Sequence, residues 1–244
     1  ANILIDKDGK PHVVDFGLAL REENVGKGPR YAGTPAYMSP EQAMDEHLDQ
    51  LDHRSDLFSL GIVLFEMVTE ELPFHGSNPS VILKNIIDNR RMQAHSIAPQ
   101  MSIQLNDCIE MLLQTNREFR LPDSQSVLNM LESVWEEASL GITEDIWSLR
   151  YWLSDSNSYK QRLETHLRSV LIQKGQQLMQ EGEVLQAQRY LNRVLILDPD
   201  NDAVFDLLQM IQQQKVLKQQ EQIMIRLIFS LLKFLLFKLI DLDL

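Results

Sequence analysis

Five positions and one short string in the first half of the chain carry side chains that could do chemistry. Asn2 opens one strand-like run, and Asp15 ends another in the string Val13-Val14-Asp15-Phe16-Gly17. Both offer hard oxygen donors, the type that divalent cations prefer. Thr34, in Gly33-Thr34-Pro35-Ala36-Tyr37, places a hydroxyl beside a proline turn. Glu41, in Ser39-Pro40-Glu41, and Arg120, in Phe119-Arg120-Leu121-Pro122, are opposite charges far apart in the chain, and Asp56 opens a long apolar run. Taken singly, each has a plain reading: Asp15 as a turn aspartate near a glycine, Thr34 as a turn residue before a proline. Gly26-Lys27-Gly28, with Gly33 beyond, has the wrong spacing for G-x-G-x-x-G and reads as loop flexibility rather than a phosphate cradle. The single cysteine, Cys108, has no partner for an internal disulfide, and beside Ile109 and Leu112 it reads as a buried apolar residue. No Cys/His grouping has zinc-ligand spacing.

The elements that must position these groups follow from pattern and punctuation. Asn2 to Asp6 and His12 to Asp15 are short β-type runs joined by Lys7-Asp8-Gly9-Lys10, which predicts a small hairpin. Asp56 to Thr69 is apolar on nearly every side, as suits a helix at the centre of a lobe. Amphipathic helices are predicted near Ser80 to Asn89, Ile103 to Leu113 and Ser124 to Ala138. Seven of ten glycines and eight of nine prolines fall in the first 122 residues, so the turn-rich part is N-terminal and the rest is nearly all helical. The ten methionines read as core filler.

Composition bounds the whole. A chain of 244 residues suits one domain plus a smaller one. Apolar residues at 44% and charged residues at 24% exclude wholesale disorder and a polytopic membrane protein. Twenty-three Lys and Arg against 35 Asp and Glu give a net charge of -12, which repels phosphate backbones and argues against nucleic-acid binding. The chain starts at Ala1 with no signal-peptide pattern, reads as cut at its start, and with one cysteine is expected to be cytoplasmic.

The strings ANILID, VVDFGLA, GTPAYMSPEQ, RSDLFSLGIVLFEMVTEELPF and FRLP, in that order over Asn2 to Pro122, resemble the C-terminal lobe of a eukaryotic-type Ser/Thr protein kinase, most like the bacterial members. The resemblance covers roughly residues 1–138. It implies ATP and Mg2+ as cofactors, with Asn2 ending the catalytic loop and Asp15 opening D-F-G, both as metal ligands. Phe16 would then set the active or inactive state and Gly17 would supply backbone freedom. Glu41 and Arg120 would form a buried ion pair, and Asp56 would accept hydrogen bonds from the catalytic-loop backbone. Thr34 would face the substrate, supporting the catalytic Asp and Lys. Between Leu18 and Met38 there is no other Ser or Thr, so activation by Thr phosphorylation in this loop is doubtful.

The same resemblance shows what these residues do not include. The H-R-D aspartate and its Lys partner would precede Ala1, and the Gly-rich loop, the V-A-I-K lysine and the αC glutamate belong to an N-lobe. Two readings stay open. One is a partial Ser/Thr kinase that transfers the γ-phosphoryl of ATP to protein hydroxyls when complete and is inactive as given, with weak or no ATP binding. The other is a non-catalytic docking protein or scaffold.

Residues 139–166 read as a connecting helix or linker. Within 167–214, Gly175, Ala187 and Pro199 have tetratricopeptide-like spacing, with Leu171, Leu178 and Leu191 at core positions. One and a half repeats would need neighbours or partners, and an ordinary helical hairpin fits as well. Residues 215–244 form a Gln-rich, then apolar, amphipathic tail. Ile223 to Ile240 is apolar except at Arg226, Ser230, Lys233 and Lys238, which leaves open an interfacial membrane helix, a membrane span, or partner and self packing. The expected class is therefore mainly α with a small β-hairpin, a kinase-like C-lobe followed by a helical hairpin or repeat region. Its expected partners are a protein substrate or docking protein, with membrane contact and self-association assigned to the tail.

Overall fold

A computed structural model describes residues 2–14, 34–44, 51–138 and 147–240. Its first element is an antiparallel hairpin of β1 (Ile3–Ile5) and β2 (Pro11–Val13), with Ile3 opposite Val13 and Ile5 opposite Pro11. Asp6 organises the loop: its Oδ1 accepts from the amides of Asp8 and Lys10, and its carbonyl accepts from Gly9, whose φ of +79° closes the turn.

Helices follow. After a 3-10 turn at Pro35–Tyr37 come α1 (Pro40–Ala43), α2 (Arg54–Thr69), α3 (Pro79–Ile87), α4 (Ala94–Ile97), α5 (Ile103–Leu112), α6 (Ser124–Glu137), α7 (Leu149–Ser154), α8 (Ser156–Gln180), α9 (Val184–Leu197) and α10 (Asp202–Ile240). Their starts are written in the sequence. Asn78, Ser102 and Asp123 each accept a backbone N–H of the first turn, and Ser39 with Gln42 makes a reciprocal capping box ahead of Pro40.

The described residues fall into two compact units, 1–167 and 168–244. In the first, α2 is central: only Asp56 and Met67 of its sixteen residues are exposed. One face packs Phe58, Ile62 and Phe65 with Phe74, Ile86, Ala94, Met101 and Ile109. Another packs Leu57 with Cys108, Leu112, Leu121 and Val127, so Cys108 is a fully buried thiol, and burial pushes its pKa up. In the second unit, Leu171, Leu178, Ala187, Leu191, Val194, Val204 and Ile211 make one core between α8, α9 and the start of α10.

The methionines depart from expectation. Met38 and Met101 are buried, but Met44, Met67, Met111, Met210 and Met224 are exposed. The aliphatic and aromatic side chains already fill these cores, leaving the flexible thioethers at the surface. Of residues 139–166, read as a connecting helix or linker, 147–166 are described and carry α7 and the first part of α8, which crosses 166/167 without a break. Among the described residues, no helix is long and apolar enough to cross a membrane.

Candidate functional site

The groups singled out in the sequence fall into three places. Asn2 is exposed at the edge of the hairpin, where its carbonyl accepts from the amide of Val14, the residue before Asp15. Asp15, Phe16 and Gly17 lie outside the described residues. Among the described residues, no group of three or more His, Cys, Asp or Glu is arranged to hold a metal. Asn2 contributes one neutral oxygen, whereas Mg2+ demands a near-octahedral oxygen set. The described residues alone therefore do not compose a Mg-ATP site.

The second place is a buried node. Arg120 and Glu41 meet as a bidentate pair, Nη1 to Oε1 and Nη2 to Oε2, both at 2.6 Å. Arg120 also donates from Nε to the Gln114 carbonyl at 2.7 Å, from Nη1 to the Arg54 carbonyl at 3.0 Å and from Nη2 to the Thr115 carbonyl at 3.1 Å. A guanidinium has five N–H donors, and here five acceptors answer them. The ring of Phe58 lies 5.0 Å beneath the charge. Glu41 is 4% exposed, and its Oε1 also accepts from Ser55 Oγ at 2.7 Å. Burial alone would raise the carboxyl pKa, but the hydrogen bonds from Arg120 and Ser55 and the Arg120 charge outweigh it and bring the value down to about 2.

The third place is the segment that this node holds. Residues 34–43 run from exposed Thr34 through the 3-10 turn into α1, and three contacts tie them to α2. Tyr37 Oη donates to Glu66 Oε2 at 2.6 Å, Ser59 Oγ donates to the Tyr37 carbonyl at 2.7 Å, and Ser55 Oγ donates to Glu41 Oε1 at 2.7 Å. The Glu66 hydrogen bond, with burial and the carboxylate charge, pushes the Tyr37 phenol up to about 12. Thr34 itself is extended, with φ of -91° and ψ of 114°, and its side chain makes no cap hydrogen bond. Asp56 is exposed in the first turn of α2.

Several of these residues escape a motif reading. Ser55, Phe58, Ser59 and Glu66 all lie on α2, and none belongs to a recognised catalytic role. A hydroxyl at Ser55, three residues before Phe58 on the same helix face, was the available signal. The carbonyls of Gln114, Thr115 and Arg54 carry no side-chain signature at all. Those of Gln114 and Thr115 lie past the end of α5 at Leu112, outside the helical ladder, while that of Arg54 lies in the first turn of α2 and takes the guanidinium on its second lone pair.

The mostly helical unit around the buried α2 is consistent with a kinase-like domain, and the match over residues 1–150 shows that the chain belongs to the protein kinase family. The family model described as protein kinase domain matches residues 1–150. Among similar proteins, a probable serine/threonine-protein kinase of Clostridium perfringens is 31% identical over 144 residues, 58% of this chain and 21% of that protein. The serine/threonine-protein kinase PknL of Mycobacterium tuberculosis is 30% identical over 141 residues, 57% of this chain and 35% of that one. Sperm motility kinase 3A of Mus musculus is 28% identical over 144 residues, 59% and 27% respectively. The match thus spans between about a fifth and a third of the length of these relatives.

Proposed function

We propose that the first unit is the substrate-binding C-terminal lobe of a Ser/Thr protein kinase, which transfers the γ-phosphoryl of Mg-ATP to protein Ser or Thr hydroxyls when the rest of the kinase domain accompanies it. The observation that carries this reading is the clamped segment 34–43. It is fixed at its C-terminal end by the Glu41–Arg120 pair and leaves the exposed Thr34 side chain free of a capping bond at its other end. Phosphoryl transfer depends on positioning and charge stabilisation rather than on covalent work by the protein. A substrate segment that is rigid at one end and exposed at the other serves the positioning part.

In this assignment Thr34 orients the acceptor hydroxyl, and Asn2 and Asp15 hold the metal beside the phosphates. Residues 1–244 include neither the H-R-D aspartate nor the V-A-I-K lysine, so this stretch by itself transfers no phosphate. A second reading rests on the second unit. Gly175 and Ala187 bring α8 and α9 into close contact, as in a tetratricopeptide-like hairpin, and Leu185 and Phe205 are exposed beside that core. This arrangement suits a docking role for another protein.

The deciding experiment is transfer of radiolabelled γ-phosphate by the native gene product to a generic protein acceptor, followed by identification of the modified residue. The native product is expected to label Ser and Thr, and Asp15→Ala to abolish the label. A native product with no transfer, or with label on Tyr, contradicts the kinase reading.

A further inference from the structure

The hairpin of β1 and β2 has no core of its own. All six strand residues are exposed, and two three-residue strands are marginal by themselves, so another element must fix how the hairpin sits. Asp6 ties the loop internally, which makes the tip a firm point to hold.

α7 grips that tip. A Cβ added at Gly9 would lie 2.6 Å from Arg150 N, 3.2 Å from the Leu149 carbonyl carbon and 3.3 Å from Arg150 Cα, so the two backbones meet with no room for a side chain between them. Arg150 Nη1 also stands 3.9 Å from Asp8 Oδ1, an exposed pair that adds orientation rather than strength. On its other side α7 is anchored. Trp147 is 6% exposed, with its ring 5.1 Å from that of His166 and edge-on to Tyr159, whose Oη donates to the Trp147 carbonyl at 3.2 Å. Arg162 donates to Tyr151 Oη at 3.1 Å, and His166 Nε2 donates at 3.0 Å to the carbonyl of Ala138, which ends α6. Val127 of α6 in turn packs with Leu57 of α2. A path of contacts thus runs from the buried α2 to the tip of the hairpin.

We propose that α7 is a strap that positions the hairpin, and through it Asn2, with Gly9 and Trp147 as positioning residues at its two ends. The inference rests on the reading of Asn2 and Asp15 as the residues that hold the metal. The Asn2 carbonyl takes the amide of Val14, so a tilt of the hairpin moves Asn2 and the chain entering Asp15 together. Mg2+ demands near-ideal octahedral geometry, and such a tilt works against it.

Two variants test the strap from opposite ends. Gly9→Asn supplies a residue that tolerates the φ of +79° and puts a Cβ into the space that α7 occupies. Trp147→Ala removes the anchor without touching the hairpin, and Trp147→Phe restores an aromatic ring. In the 244-residue chain, amide hydrogen exchange at Asp6 and Lys10 should speed up about tenfold or more in Gly9→Asn and in Trp147→Ala, with the amides of α2 unchanged. Trp147→Phe should stay near the parent rate. In the native gene product the first two variants should raise severalfold the Mg2+ concentration that gives half-maximal phosphoryl transfer, and leave KM for the protein acceptor unchanged. General loss of the fold would not produce that split. Hairpin exchange at the parent rate in either variant, or an unchanged Mg2+ requirement in an active product, would overturn the proposal. A native product that transfers no phosphate in any form overturns the kinase reading instead, and the exchange rates still decide whether α7 holds the hairpin. Were Trp147→Ala to unfold, seen as fast exchange in α2, Gly9→Asn decides.

Discussion

Arg120 shows how a single side chain can organise a site that it does not itself present. Its five donors reach Glu41 and three backbone carbonyls from two separate stretches of chain, and Phe58 lies under its plane. Removing one partner strands the other charge in a buried place. Arg120→Met is therefore expected to destabilise the first unit by roughly 3–5 kcal/mol, and Glu41→Gln by less because the amide keeps one acceptor oxygen; urea unfolding of each variant measures this. The pH dependence has a fixed sign. Glu41 lies at about 2 when folded against an ordinary 4.5, so its contribution is fully present above 4.5 and is lost as pH falls toward 2. That contribution is on the order of 3 kcal/mol, so stability should fall less steeply with acid in Glu41→Gln than in the parent chain, the rest of the fall coming from Asp52, Asp123 and the other carboxylates held low by their partners. Tyr37 has the opposite sense. Its phenol is raised from 10 to about 12, so its contribution is present below pH 10 and disappears as pH rises through 12. Burial also raises Tyr159, so ultraviolet titration should show a late-ionising tyrosine fraction that Tyr37→Phe reduces but does not abolish. Motifs named Glu41 and Arg120 because family strings surround them. Ser55 stands inside one of those strings without a role attached to it, and the carbonyls have no side-chain signature, so both become visible only where the helices meet the guanidinium.

Two glycines at the element scale look alike in sequence and differ in consequence. A Cβ added at Gly61 in α2 would come within 2.7 Å of Leu112 Cβ on α5, an atom fixed to its backbone. A Cβ at Gly175 in α8 would meet Leu191 Cδ2 at 2.7 Å, the far end of a side chain that can shift. Alanine also gains about 1 kcal/mol of helix propensity at both positions. Gly61→Ala should therefore be net destabilising, by about 1–2 kcal/mol, while Gly175→Ala should lie near neutral, as thermal melts of the two variants would report. Periodicity made the helices legible: an apolar run with Asp56 at its head is α2, and the capping residues Asn78, Ser102 and Asp123 mark starts to within a residue. The stretch before residue 167 was less legible. Trp147, Tyr151, Tyr159 and His166 make an aromatic group around α7 and α8 that has no simple period, so the sequence left a connecting helix and a linker both open there. Methionine misled for a related reason, since an unbranched apolar chain fits a core and a surface alike.

At the scale of the whole molecule, each of the two units has its own core. The first unit carries the family match and the clamped segment; the second carries a close helical pair and the long α10. A net charge of -12 disfavours polyanionic partners for the chain overall. Family membership is secure from the match over residues 1–150, whereas catalysis needs groups that residues 1–244 do not hold. The central claim is that this chain is the substrate-side part of a larger kinase. The intact mass of the gene product from its natural source tests it most directly. The account predicts a mass above 28.2 kDa by roughly 15 kDa or more, the size of a further small domain. A mass equal to 28.2 kDa would contradict it and leave the docking role in its place.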